Sequence, residues 1–321
     1  MGGSTDGSTH GSTYAASGAV TGESAGAHLQ RLTGRVTELA AGLRVRRLLP
    51  AAARRSVGPF VFFDHFGPVT LPAGADSDVG PHPHIGLATV TYLFEGGFLH
   101  RDSLGTVQPI APGAINWMTA GRGIVHSERA TDEDRGRPRR LHGLQLWVAL
   151  PPALEQAAPA FQHVPADELP EVACEGGARV RVLVGSAFGA TSPVRPASPT
   201  LYLDVQLPAG GAIELPAPAT AHELALFAPT DALRVDGEPL PADTMGVPTA
   251  PGPYRVQGEA GGPARFVVIG GAALERPVAM WWNFVAGERA RLAEAAARWE
   301  AGGFDPIPGE TDRVPAPPWR G

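Results

Sequence analysis

The chain has 321 residues, 43% of them hydrophobic and 18% charged, so it is long enough for two ordinary domains with apolar cores. Its net charge of −6 is spread without long runs of one sign, and this excludes the basic patches that bind nucleic acids or anionic membranes. The single cysteine, Cys174, excludes an internal disulfide framework. Because no apolar run approaches the ~20 residues of a membrane span and no signal peptide is visible, we expect a soluble, cytoplasmic protein.

The first segment, residues 1–26, consists mainly of Gly, Ser, Thr and Ala. Such a composition cannot bury enough apolar surface to offset the entropy of ordering, so we expect this segment to be disordered. We expect order to begin near Leu32, in a first domain that spans residues 27–151.

The first domain is dense in short apolar runs separated by turn signals. Strands are expected at residues 43–49, 59–63, 89–94, 98–102 and 144–150. The Gly96-Gly97 pair predicts a tight hairpin between the third and fourth of these strands. The pattern indicates an antiparallel barrel or sandwich and not an alternating βαβ fold.

The second half of the chain also contains short apolar runs separated by turn signals. Residues 152–199 are a connecting region with one strand at 179–184, and residues 200–321 are a second β-domain with strands at 201–207, 222–227 and 265–269. Residues 288–300 predict an amphipathic helix, because Leu292, Ala295, Ala296 and Trp299 share one face. The proline-rich tail that follows is expected to be extended and to lie on the surface.

Two pairs of potential metal ligands lie in the first domain. His82 and His84 flank Pro83, which favours an extended chain, and residues two apart in such a chain point to the same face. His126 and Glu128 repeat this spacing. Nitrogen and oxygen donors without a thiolate favour iron and leave manganese, cobalt, nickel, copper or zinc open. Spacing alone leaves two alternatives, a metal site or ordinary core and surface residues.

The segment from Gly80 to Leu150 resembles the pirin family of the cupin superfamily. The resemblance rests on Pro81-His82-Pro83-His84, on Thr89 to Gly96, on Trp117 to Glu128 and on Gly143 to Val148. It extends to Ser56 to Phe60, Phe63 to Phe66 and Trp281 to Phe284. It implies an all-β fold of two cupin-type antiparallel β-barrels, a bicupin, here with a short C-terminal helix.

The resemblance also implies one divalent transition metal, Fe(II) by preference, bound by His82, His84, His126 and Glu128. Many cupins have a ligand where this chain has Ala88, and Asn116 stands roughly where their last histidine would be; His126 and Glu128 supply what these positions lack. The second domain has His222 as its one histidine, so we expect it to bind no metal.

Other polar residues could approach the site. For His65, His100 and His142 we favour structural or supporting roles, because ligating histidines usually require hydrogen-bonded neighbours. Arg122 is compatible either with contact to an anionic substrate or with a salt bridge at the rim of the barrel.

Two functions are compatible with the resemblance. The first is a quercetin 2,3-dioxygenase-type oxygenase that acts on a flavonol or similar aromatic substrate with O₂, with Glu128 as the catalytic base. The second is a non-catalytic iron-binding protein that senses redox state or regulates transcription. We expect an enzyme to have open metal positions facing a cavity, and a regulator to have a sealed metal and an exposed binding patch.

Overall fold

The computed structural model describes residues 28–38, 43–75, 77–217 and 222–320. The segment predicted to be disordered, residues 1–26, lies outside the described residues. Within them the chain is nearly all β, with one α-helix, α1 (Arg289–Glu300), and two short 3₁₀ turns at Pro152–Leu154 and Glu175–Gly177.

The strands of the first half of the chain follow one another closely. They are β1 (Leu29–Leu32), β2 (Arg35–Glu38), β3 (Arg44–Leu49), β4 (Phe60–Leu71), β5 (Val79–His84), β6 (Leu87–Glu95), β7 (Phe98–Asp102), β8 (Val107–Ile110), β9 (Ile115–Thr119), β10 (Ile124–Arg129), β11 (Arg139–Ala149) and β12 (Ala160–Val164).

The second half contains more strands of similar length. They are β13 (Glu171–Ala173), β14 (Arg179–Val184), β15 (Ser186–Ala187), β16 (Ala190–Thr191), β17 (Thr200–Leu207), β18 (Ala212–Leu215), β19 (His222–Ala228), β20 (Leu233–Val235), β21 (Glu238–Leu240), β22 (Thr244–Pro248), β23 (Tyr254–Gly258), β24 (Ala264–Ala272), β25 (Ala279–Trp281) and β26 (Phe284–Ala286).

Four antiparallel sheets form the framework. Sheet I has the order β12-β9-β6-β11-β4-β3-β2 and packs against sheet II, β5-β10-β7-β8. Sheet III has the order β1-β22-β19-β24-β17-β14-β13 and packs against sheet IV, β18-β23-β20-β21. The all-β architecture with a short C-terminal helix is therefore confirmed, although each half is a sandwich of two facing sheets and not one closed barrel.

Some segments pair outside their neighbourhood in sequence. Strand β1 pairs with β22 of sheet III, whereas β12, far along the chain, pairs with β9 of sheet I. Between residues 152 and 199, β12 thus joins sheet I, while β13 and β14 join sheet III. These exchanges tie the two halves of the chain together.

The hairpin predicted at Gly96-Gly97 is wrong. Strand β6 ends at Glu95 in sheet I, and β7 begins at Phe98 in sheet II, where it pairs with β8 and β10. Gly96 has a φ of +86°, and the chain passes through the Gly96-Gly97 pair from one sheet to the other. A glycine pair therefore marks a break between strands without specifying which sheet the next strand joins.

The largest apolar core lies between sheets I and III. Tyr92 of β6 contacts Tyr202 of β17, with ring centroids 5.7 Å apart, and Phe63 of β4 contacts Phe227 of β19 at 5.0 Å. Alternate residues of β6, such as Thr91, point the other way, into the first domain. Strand β6 is buried on both faces, which explains why it has no charged residue before Glu95 at its end.

One buried polar group links the two sheets through this core. The Tyr92 hydroxyl donates to Asp204 Oδ2 at 2.6 Å, and Arg265 donates to both carboxylate oxygens of Asp204 at 2.9 and 2.5 Å. The guanidinium of Arg265 also lies 4.6 Å from the ring centroid of Phe94. Asp204 is fully buried, so its charge depends on these donors.

We expect Asp204→Ala to lower the free energy of unfolding by about 3–5 kcal/mol, because it leaves the Tyr92 hydroxyl and Arg265 without their buried acceptor. Denaturant titration measures this loss. Glu214→Ala, which removes the same charge from an exposed position of β18, is the control and is expected to stay within about 0.5 kcal/mol of the wild type. Equal stability of the two variants would contradict the expectation.

The predicted C-terminal helix and tail are also found. Helix α1 buries the four residues that were predicted to share a face, Leu292, Ala295, Ala296 and Trp299. The tail then lies along the first domain, where the Val314 amide donates to the Pro81 carbonyl at 2.8 Å. Within the described segments, no helix has the length and apolar character needed to cross a membrane.

Candidate metal centre

The two predicted ligand pairs lie on neighbouring strands of sheet II. Strands β5 and β10 are antiparallel, and their register places His82 opposite His126 and His84 opposite Ile124. Because His82 and His84 are two residues apart, both point to the face on which His126 lies. The sheet pairing thus brings together three imidazoles from two separate segments of the sequence.

The three imidazoles form a compact buried group. One ring nitrogen from each of His82, His84 and His126 lies within 4.8 Å of the others, and His84 Nε2 is 3.1 Å from His126 Nε2. His84 and His126 are each 1% exposed. Three imidazoles at such short range, shielded from solvent, form a donor set that suits a divalent transition metal.

Hydrogen bonds to main-chain carbonyls orient two of the rings. His82 Nδ1 lies 2.9 Å from the Gly80 carbonyl, and His84 Nδ1 lies 3.0 Å from the Asn283 carbonyl. A carbonyl can only accept, so each Nδ1 carries the proton and each Nε2 keeps its lone pair. Both rings therefore present a metal-binding nitrogen to the centre of the group.

The electrostatics favour neutral imidazoles. Burial lowers the pKa of His82 to about 4. Burial, together with the neighbouring histidines, lowers the pKa values of His84 and His126 well below their usual range. A metal binds the neutral form, so these shifts allow the site to compete with protons at neutral pH. The residues present thus fit a divalent metal.

Glu128 occupies a different position. A β-bulge between His126 and Glu128 shifts the register with β5, so that Glu128 pairs with Val79. Its Oε1 accepts a hydrogen bond of 3.0 Å from the Thr91 hydroxyl of sheet I, and burial raises the pKa of its carboxyl group. The compact group of three histidines does not include Glu128, and its role as a fourth ligand stays a prediction.

His100 is close to the site, whereas His65 and His142 are not part of it. His100 Nδ1 lies 3.4 Å from His126 Nδ1. His65 and His142 contact each other through their Nε2 atoms at 3.0 Å, and His65 Nδ1 bonds Asp243 at 2.8 Å. The latter pair therefore belongs to the contact between the two domains.

Two further residues named from the sequence lie elsewhere. Asn116 Oδ1 is 2.5 Å from His163 Nδ1 and pairs within sheet I. Arg122 has an exposed side chain, and its carbonyl accepts a hydrogen bond of 3.0 Å from Arg298. This contact involves the main chain of Arg122, so it does not distinguish between the two roles considered for the side chain, contact with an anionic substrate or a salt bridge at the rim of the barrel.

The C-terminal hairpin supplies a partner that sequence reasoning missed. The turn between β25 and β26 contains Asn283, whose carbonyl orients His84, and Phe284 forms a parallel bridge with Ile85. The close approach requires glycine at position 86, because a Cβ there would stand 1.9 Å from the Val285 carbonyl oxygen. The run Trp281 to Phe284 marked this segment in the sequence but gave no indication of its contact.

Aromatic side chains surround the histidines. Trp147 packs edge-on against His84 with centroids 5.2 Å apart, and Phe62 stacks on Trp147 at 3.9 Å. Phe161 stacks on His100 at 4.6 Å. The site therefore combines a polar centre with flat apolar walls.

Known proteins resemble this chain over most of its length. The model of the Pirin family matches residues 42–148, and the model of the Pirin C-terminal cupin domain matches residues 202–305. A pirin-like protein from Caulobacter vibrioides is 43% identical over 262 residues, which cover 80% of this chain and 88% of the relative.

Solved structures show the same fold. A crystal structure of quercetin 2,3-dioxygenase from Acinetobacter baumannii has a TM-score of 0.83 and 36% identity, covering 92% of this chain and 96% of that one. A bacterial pirin from Escherichia coli in complex with nickel(II) has a TM-score of 0.59 and 15% identity, covering 77% and 99%. With its two matched domains and its three-histidine site, the chain belongs to the pirin family.

Proposed function

We propose that this pirin is a cytoplasmic metalloenzyme of the quercetin 2,3-dioxygenase type, which opens the heterocycle of a flavonol with O₂. The observation that carries the proposal is the buried convergence of His82, His84 and His126 beside an aromatic wall. The related structure from Acinetobacter baumannii, which bears that enzyme name, supports it.

The proposed ligands are His82, His84, His126 and Glu128, and the proposed metal is Fe(II). Nitrogen and oxygen ligands without a thiolate suit iron. Manganese, cobalt, nickel, copper and zinc also bind such ligands, to differing degrees. When bound, a divalent metal would supply Lewis-acid polarisation of the flavonol oxygen and a position for O₂.

Glu128 is the proposed base. Burial raises the pKa of its carboxyl group, against the opposing influence of His100 and the Thr91 hydroxyl, so it holds a proton more firmly than an exposed glutamate. The Thr91 hydroxyl, which donates to Oε1, orients the carboxylate. In the proposed reaction Glu128 takes the proton of the flavonol hydroxyl group.

Aromatic side chains enclose the polar centre. Trp147 and Phe62 are stacked and both buried, and Phe161 covers His100. These apolar rings keep water away from the polar centre.

Metal analysis of the purified protein, followed by oxygen-uptake measurements with a panel of flavonols, tests the proposal. We expect one metal ion per chain, oxygen uptake with at least one flavonol, and loss of uptake after the metal is chelated. A fully metal-loaded protein that consumes no oxygen with any flavonol would overturn the enzymatic proposal and favour the non-catalytic, iron-binding regulatory role.

A further inference from the structure

His126 is the one histidine of the site whose Nδ1 contacts a side chain. Its Nδ1 lies 3.4 Å from His100 Nδ1, and His100 Nε2 lies 3.1 Å from Asp102 Oδ2. His100 is 3% exposed and Asp102 is fully buried. These three residues form a continuous line that runs from the centre of the site to the turn after β7.

The strand pairing and local packing hold this line in place. Asp102 lies directly opposite His126 in the pairing of β7 with β10. Its Oδ1 accepts hydrogen bonds from the amides of Leu104 and Thr106 at 2.9 and 3.0 Å, so its Oδ2 is the oxygen that faces His100. Phe161 stacks on the His100 ring with an interplanar angle of 23°.

The donors and acceptors along the line follow from the carboxylate. An ionised carboxylate can only accept, so His100 Nε2 donates to Asp102. In a neutral imidazole the other nitrogen is then an acceptor, so His100 Nδ1 accepts the hydrogen bond that His126 Nδ1 donates. His126 Nε2 is thereby left with its lone pair, beside His84 Nε2.

We propose that Asp102 and His100 are positioning residues that fix the tautomer and ring orientation of His126 and thereby set the affinity of the site for metal. The inference rests on the proposed ligation by His126 but not on the flavonol reaction. His82 and His84 receive the same orientation from main-chain carbonyls, so His126 is the ligand whose tautomer depends on side chains.

Asp102→Asn is the sharpest test. The Leu104 and Thr106 amides should retain the asparagine oxygen, which places the amide NH₂ group where Oδ2 faced His100. This group donates, so His100 must accept at Nε2 and carry its proton on Nδ1, toward His126. His126 can then no longer donate from Nδ1, and its proton moves to Nε2, the nitrogen that should bind metal.

We expect the Asp102→Asn protein to bind Co(II) about 10–100-fold more weakly than the wild type in chelator competition, the usual effect of losing a partner of a ligating histidine. In the metal-free protein, ¹⁵N NMR of labelled histidines should show the His126 proton moving from Nδ1 to Nε2. A change in packing alone would not move this proton. Asp231→Asn, which makes the same change at a half-buried aspartate of the second domain, should leave both measurements unchanged.

His100→Phe provides a second variant, because it removes both nitrogens but keeps a ring for Phe161 to stack on. We expect a comparable loss of Co(II) affinity. Wild-type affinity within twofold in either folded variant, with the His126 tautomer unchanged, would overturn the proposal. If His126→Ala also binds Co(II) with wild-type affinity, then the proposed ligand set itself is wrong. The His126→Ala result thus distinguishes a failure of the ligand set from a failure of the positioning proposal.

Discussion

The His126→Ala protein is expected to lose its metal and, with it, all turnover. The change removes one of three imidazoles that lie within 4.8 Å of one another, and it takes away the nitrogen that sits 3.1 Å from His84 Nε2. The loss of affinity should exceed the roughly 10–100-fold that follows loss of a supporting partner, because a direct ligand is removed. Metal content after dialysis and oxygen uptake with a flavonol measure the two effects.

The matched control is His222→Ala, which removes a half-buried histidine from β19 in the second domain. It should retain one metal ion per chain and wild-type turnover. A full equivalent of metal in the His126→Ala protein would show that His126 is not a ligand. A loss of metal in the His222→Ala protein would show that the second domain takes part in metal binding.

The Glu128→Gln protein is expected to turn over about 10²–10⁴-fold more slowly than the wild type at matched metal content, the usual contribution of a general base. Glutamine has nearly the same shape and can still accept the hydrogen bond from Thr91 through its oxygen. It is neutral, however, and a very poor base. Turnover should therefore fall further than metal occupancy does.

The same strand provides the control for this change. Side chains alternate along β10, and Ser127 and Arg129 point away from the site to bind Glu310 of the tail, at 2.7 and 2.5 Å. Glu310→Gln makes the same chemical change on that opposite face and should leave turnover within about twofold of the wild type. If the metal-loaded Glu128→Gln protein turns over normally, Glu128 is not the base.

Local sequence patterns were sufficient for much of the fold. The strand predicted at 179–184 has the observed bounds, and the one predicted at 201–207 differs from β17 by a single residue. Helix α1 begins one residue after the predicted start and ends at the predicted residue, Glu300. These elements depend on side-chain periodicity and turn residues, which are properties of a few neighbouring residues.

These local patterns did not predict which strands distant in sequence pair with each other. The glycine pair at 96–97 indicated a turn, yet only the assembled sandwich assigns β6 to sheet I and β7 to sheet II. In the same way, nothing in the sequence of β1 indicates that it pairs with β22 of the other domain. A strand edge offers the same main-chain hydrogen-bond groups to any partner, so the choice depends on which apolar faces are buried together.

For the site, the sequence by itself predicted the two pairs of potential ligands, because the spacing of His82 and His84 in an extended strand fixes the face to which both point. Only the tertiary structure decided how these rings are oriented. The carbonyl that holds His84 belongs to Asn283, 199 residues away, and His126 depends on the line through His100 to Asp102 on another strand. Side-chain direction follows from local backbone geometry, whereas a hydrogen-bond partner is selected by the packing of the whole chain.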